Sequence, residues 1–138
     1  MTQEDKDLLL KDLCGRVPYR VKCKYDDRLI VNTLSVDFFW EKIEGYERYV
    51  NCTRKYDIEN IKPYLFPLSS MNEEQKKTLK VLCDWNDEEA DAQSILVLYQ
   101  KHFVMKTDVI DWLNENHFDY RGLIEKGLAI DATGLNIY

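Results

Sequence analysis

The feature that most constrains the fold of this chain is a strict alternation of apolar and mainly basic residues near its start. The apolar set is Val17, Tyr19, Val21, Cys23 and Tyr25, and Pro18, Arg20, Lys22 and Lys24 stand between them. A period of two predicts a β-strand with one face on a core and the other in solvent. A strand needs a neighbour, so the run 29–36 after Asp26-Asp27-Arg28 is predicted to return as a hairpin.

A small antiparallel sheet of about three strands is therefore expected in the first half of the chain. Residues 46–53 form the third candidate strand, and no long helical pattern separates it from the hairpin. Strands that follow one another without a crossover helix favour an antiparallel meander.

Helical signals flank this region and dominate the second half. Thr2 is predicted to cap a first helix that ends near Gly15, and Asn72 with Gln75 forms a capping box for a helix running to about Asp84. Further starts are expected at Asp87, at Thr107-Asp108 and at Asp119. Residues 57–68 carry two prolines and are predicted to form a turn of helix and an extended segment. The pattern at 95–99 fits either a helix or a strand.

These elements predict one α+β domain covering residues 1–138, with an antiparallel sheet followed by a helical half. A chain of 138 residues has the length of one ordinary domain. The apolar fraction of 45% and the charged fraction of 32% are those of a globular protein rather than a disordered one.

Charge and composition narrow the classes of partner. The net charge of −6 disfavours nonspecific binding to nucleic acid or to anionic lipid, because both carry phosphate. No run approaches the roughly 20 apolar residues of a membrane helix, and the acidic start is unlike a signal peptide. A cytoplasmic location is the expectation.

No catalytic, cofactor or metal site is predicted. The four cysteines form no CxxC pair, which argues against zinc, and no serine lies in a GxSxG motif. Gly-rich phosphate loops are absent from the sequence. His102 and His117 stand at the ends of helical segments, where an imidazole is expected to cap carbonyl groups or to pack. The 25 acidic residues offer many pairings, so a glycosidase-like pair of carboxylates stays open, although nothing marks one pair above the rest.

Two groups are candidates for recognition. The first is the basic strand face of Arg20, Lys22 and Lys24, whose alternative interpretation is a solvated strand protected against edge pairing. The second is the run Phe38-Phe39-Trp40, since three consecutive large rings cannot all face one core from regular structure. Its alternative interpretation is a loop that closes the end of the core.

Three segments resemble a family of short proteins from gut Bacteroides and their phages and mobile elements. The segments are MTQEDKDLLLKDLCGRVPY at the start, IKPYLFPLSSMNEE at 61–74 and DWLNENHFDYRGLIEKGLAI at 111–130. In that family a basic residue tends to stand where this chain has Phe66. No activity is established for the family, so the resemblance implies a context, a cytoplasmic accessory protein, and no reaction.

The sequence therefore favours a non-enzymatic interaction module that binds a protein partner or itself. One alternative is a small enzyme with a site made from carboxylates, Tyr or His117. Another is a nucleic-acid-related accessory protein that uses the basic strand face or mimics DNA with its acids.

Overall fold

The computed structural model describes residues 1–25, 31–33, 58–86, 89–102 and 105–138, and the fold is α+β. Its helices are α1 (Gln3–Arg16), α2 (Glu73–Leu82), α3 (Ala92–His102) and α4 (Thr107–Glu115). Its strands are β1 (Lys22–Tyr25), β2 (Val31–Thr33), β3 (Ile61–Pro67), β4 (Phe118–Asp119) and β5 (Ile130–Asp131).

Local side-chain chemistry explains where the helices begin. The Thr2 side chain accepts a hydrogen bond from the Asp5 N–H, and Asn72 and Gln75 make the reciprocal capping box predicted from the sequence. The α3 start is capped by Asp91, whose Oδ1 accepts from the Ser94 N–H at 2.7 Å. The predicted cap at Asp87 lies outside the described residues, and the helix predicted from there begins only at Ala92. Residues 95–99 are helical and belong to α3.

The sheet is mixed, which corrects the predicted antiparallel meander. β1 pairs antiparallel with β2 and with β3, as in the predicted hairpin, but β3 pairs in parallel with both β4 and β5. The strand at the centre is thus the proline-containing segment 61–67, for which the sequence indicated only an extended path. The predicted strand at 46–53 lies outside the described residues.

The first strand is also shorter than the alternation predicted. Val17–Tyr19 form a 3₁₀ turn, and Arg20 follows with φ of 58° in the left-handed region. A chain that turns in this way cannot keep a ladder, and Pro18 has no N–H to donate. Similarly, α1 continues one residue past Gly15 to Arg16.

Within the described residues the interior is divided into two hydrophobic clusters. The first core joins α1 to the sheet and contains Leu9, Leu13, Val21, Cys23, Ile61, Leu65, Leu123, Leu128 and Ala129. The second core joins the later helices to β4 and contains Leu68, Met71, Leu79, Cys83, Ala92, Ile95, Leu96, Tyr99, Val109, Leu113 and Phe118.

A polar junction of Asp12, Arg16, Asn114, Tyr120 and Arg121 links the two cores. Asp12 and Arg16 are both 0% exposed, and Arg16 Nε donates to Asp12 Oδ2 at 2.7 Å. The i, i+4 spacing places both side chains on one face of α1. Arg16 Nη2 donates to the Phe118 carbonyl oxygen at 2.7 Å and so ties the helix of the first core to the second.

The remaining members complete the junction. Arg121 Nε lies 3.2 Å from Asp12 Oδ1, and the Tyr120 ring has the guanidinium carbons of Arg16 and Arg121 at 5.2 and 5.0 Å from its centroid. The Tyr120 hydroxyl donates to Asn114 Oδ1 at 3.1 Å, and Asn114 Nδ2 donates to the Gly15 carbonyl at 3.3 Å. The Asp12 carboxylate therefore pairs with two guanidinium groups, and both of these groups lie near the Tyr120 ring.

Because a buried charge without its partner is costly, we expect Asp12→Leu to lower the free energy of unfolding by about 3–5 kcal/mol. The double variant Asp12→Leu/Arg16→Met replaces the pair by apolar side chains and should recover most of that loss. Urea denaturation of the three proteins measures both values. Equal destabilisation of the single and double variants would contradict the assignment of the cost to the unpaired Arg16.

Candidate functional site

The last residues of the chain are held on the sheet by the Tyr138 hydroxyl. This group donates to the Tyr64 carbonyl oxygen at 2.8 Å and accepts from the Lys22 N–H at 3.0 Å. The β1–β3 register pairs Cys23 with Pro63, so Lys22 and Tyr64 are the next pair along the ladder. The Tyr138 hydroxyl therefore bridges Lys22 and Tyr64, the position at which β1 and β3 separate. Burial of the side chain raises the pKa of Tyr138.

His117 forms the base on which Tyr138 rests. It follows α4 with φ of 59°, and its backbone bonds fix it on both sides: its N–H donates to the Asn114 carbonyl, and its own carbonyl accepts from the Phe66 N–H at 2.9 Å. Its imidazole stacks on the Tyr138 ring with centroids 3.8 Å apart and planes at 14°. Of the two roles expected from the sequence, packing is therefore the one that His117 has. Its imidazole caps no carbonyl group in the described part of the chain.

The imidazole is neutral at pH 7. Burial, followed by the positive charges of Arg16 and Lys22, lowers the pKa of His117 to about 4. Nδ1 is buried and has no hydrogen-bond partner among the described residues. A buried nitrogen without a partner is uncommon in a folded protein and asks for an explanation.

A groove of about 480 Å³ opens beside this histidine, and we call it the His117 groove. The rings of four residues and the polar side chains of five line it: Phe66, His117, Phe118 and Tyr138, and Ser70, Gln75, Glu115, Asn116 and Thr133. Its volume lies within the roughly 300–1,000 Å³ of ligand sites, which typically combine rings with polar side chains.

A second cavity, of about 540 Å³, lies between α2, α3 and the segment after β4. Two of its carboxylates already have structural partners. Asp91 caps α3, and Asp119 accepts from the N–H groups of Leu123 and Ile124 at 2.9 and 2.8 Å, as the predicted cap of the last turn. The His117 groove, where four rings lie beside the exposed Glu115 carboxylate, is therefore the stronger candidate site.

The structure separates the basic residues that the sequence grouped on one strand face. Arg20 is exposed on the turn before β1, whereas Lys22 is half-buried and its Nζ donates to the Ile137 carbonyl at 2.6 Å. Lys24 is half-buried on β1. Phe38, Phe39 and Trp40, the aromatic candidate, lie outside the described residues.

The groove itself was not predicted from the sequence. Its parts come from β3, the first turn of α2, the end of α4 and the last residues, and no local motif joins these four segments. The one sequence signal was the position of His117 at the end of a helical segment, which indicates a helix terminus rather than a site.

Comparison of this chain with models of protein families, with curated proteins and with solved structures finds no match. No helix among the described residues is long and apolar enough to cross a membrane.

Replacing Tyr138 by Phe should expose the role of its hydroxyl. The ring would still stack on His117, but the Lys22 N–H and the Tyr64 carbonyl would lose their shared partner. An unmade bond of this kind costs about 1–3 kcal/mol. We expect faster hydrogen exchange at the Lys22 amide, measured by NMR, with the exchange of amides in α3 unchanged. Unaltered exchange at Lys22 would show that the bridge contributes nothing to local stability.

The histidine predicts a pH dependence of stability with a defined sign. Its folded-state pKa of about 4 lies below the ordinary value of 6.5, so the unfolded chain takes up the proton first as pH falls. The wild type should therefore lose unfolding free energy relative to His117→Gln as the pH falls from about 6.5 to about 4. Urea titrations at several pH values measure it. A difference that stays constant over that window would contradict the low pKa.

Proposed function

We propose that this chain is a non-enzymatic interaction module that binds a segment of a protein partner in the His117 groove. The observation that supports the proposal most directly is the aromatic wall of the groove. Aromatic side chains held by well-packed backbone are the usual anchors of protein recognition.

The rings of the groove are held in place by hydrogen bonds of the main chain. Phe66 stands on the central strand and Phe118 on β4, and the Phe66 N–H donates to the His117 carbonyl. Tyr138 is held by its two hydroxyl bonds to β1 and β3. A site prepared in this way loses little conformational freedom on binding, which favours affinity.

The enzyme alternative would use the same groove, where His117 and Tyr138 lie together with Glu115. The Tyr138 hydroxyl, however, is occupied by two backbone groups, and burial raises its pKa away from neutrality. His117 is held neutral and has one ring nitrogen buried. These constraints suit a recognition surface better than proton transfer.

The nucleic-acid alternative has weaker support. Lys22, the middle residue of the basic strand face, donates its Nζ hydrogen bond to the backbone of the tail. The net charge of the whole chain is −6, which opposes binding to phosphate. An accessory role in a phage or mobile element, the context that the family resemblance implies, is part of this proposal and agrees with a protein-binding module.

Selection of peptides from a random library on the folded, immobilised chain tests the proposal. Thr133 is an exposed residue that lines the groove, so Thr133→Trp should fill the groove without disturbing a core. Thr78 is exposed on α2 and does not line the groove, which makes Thr78→Trp the matched control. We expect selected peptides to bind Thr133→Trp about tenfold or more weakly, a loss of about 1.4 kcal/mol, and Thr78→Trp as tightly as the wild type.

Two results would overturn the proposal. One is that no peptide is enriched on the wild type above the background of a blank surface. The other is that the enriched peptides bind all three proteins equally. Light scattering of the same samples is expected to show a monomer, and a dimer that Thr133→Trp dissociates would replace the partner segment by a second copy of this chain.

A further inference from the structure

The lining of the His117 groove defines which chemical groups a bound segment must carry, beginning with His117 itself. Nδ1 is buried without a partner in the described residues. A buried N–H without an acceptor is rarer in proteins than an acceptor without a donor. The proton of the neutral ring therefore belongs on Nε2, which leaves the buried Nδ1 as a lone pair. Tyr138 covers one face of the imidazole, so the other face and the ring edge are what this half-buried side chain offers to the groove.

Gln75 supplies a second donor. Its Oε1 accepts the Asn72 N–H at 2.9 Å in the capping box, which fixes the orientation of the amide. Because the oxygen is occupied by the helix cap, the NH₂ group is the part of this side chain left for a ligand. His117 Nε2–H and the Gln75 amide are thus two neutral donors, and a bound segment should present hydrogen-bond acceptors to them.

Charge adds a second requirement. Glu115 is exposed and is the one charged side chain lining the groove within the described residues. Positive charge also lies near His117, on Arg16 and Lys22, but both are engaged within the protein, by Asp12 and by the Ile137 carbonyl. An accessible carboxylate therefore favours a positive group on the ligand at its side of the groove.

Resting on the proposed function, we infer that the groove recognises a peptide segment in which an aromatic residue stands next to a basic one. The aromatic side chain packs against the rings of Phe66 and His117, and backbone carbonyls of the segment accept from His117 and Gln75. The basic side chain meets Glu115. Each contact uses a group that the fold leaves without an internal partner in the described chain or exposes to the groove.

Capped synthetic peptides in a Gly-Ser frame test this assignment, with Phe-Arg, Phe-Glu and Leu-Arg at the centre. We expect Phe-Arg to bind best, and NMR shift changes to centre on His117 and the Gln75 side-chain amide. An exposed ion pair is weak, so Phe-Arg should bind more tightly than Phe-Glu by about 1.5- to fivefold. Glu115→Lys should reverse the order of Phe-Arg and Phe-Glu.

Glu4→Lys is the matched control, because Glu4 is exposed on α1, does not line the groove and changes the net charge equally. It should leave the order of the peptides unchanged. If Glu4→Lys reversed the order as well, the peptides would be responding only to the net charge of the protein, and the inference would fail.

The tautomer provides a test that needs no ligand. Long-range ¹⁵N–¹H spectra of the wild type should show the proton of His117 on Nε2, with His102→Gln used to assign the two imidazoles. A proton on Nδ1 would overturn the inference.

Failure of this inference differs from failure of the proposed function. If library peptides bind in a manner sensitive to Thr133→Trp but show no preference for an aromatic-basic pair, the groove is a binding site and its assigned chemistry is wrong. If no peptide binds there at all, the proposed function falls first.

Discussion

The buried pair of Asp12 and Arg16 is the interaction on which the rest of this structure depends. Both side chains lie on one face of α1, and Arg16 reaches across to the Phe118 carbonyl, where β4 begins. Desolvation of two charges is expensive, and it is offset here because Asp12 accepts from Arg16 Nε and Nη2 and has Arg121 beside it, while Arg16 also donates to the Phe118 carbonyl. Leu9 and Leu13, also on α1, belong to the first core. Helix α1 therefore packs in the first core and at the same time holds Phe118, the first residue of β4, which belongs to the second core.

The position of β4 in turn determines the candidate site. His117 directly precedes β4, and its carbonyl bonds the Phe66 N–H on the central strand. The left-handed backbone at His117 turns the chain from α4 into the sheet and leaves the imidazole beneath Tyr138. The tail contributes a hydroxyl that bridges β1 and β3, and its ring completes the wall of the groove. The site is therefore a product of the junction, the sheet and the tail together.

Short-range signals in the sequence were reliable where the interaction is local. The Thr2 cap, the capping box of Asn72 and Gln75, and the Asp119 cap all join groups within five residues, so residue type and spacing suffice to predict them. The extended segment at 61–67 was also predicted, but its place at the centre of a mixed sheet was not. Pairing partners at 118–119 and 130–131 are two residues each, too short to carry a period-two pattern.

The sequence by itself determined the α+β class, the starts of α1, α2 and α4 and the hairpin of β1 and β2, because propensity, capping and alternation act between near neighbours. Tertiary structure alone decided the parallel pairing of β3, the late start of β1 after the Arg20 turn and the assembly of the His117 groove. It also decided that Arg16 is buried rather than solvated and that Lys22 serves the tail. These outcomes depend on contacts across about 100 residues, such as Arg16 with Phe118 and Lys22 with Ile137, and no local pattern records which distant group will complete a buried charge or a strand edge.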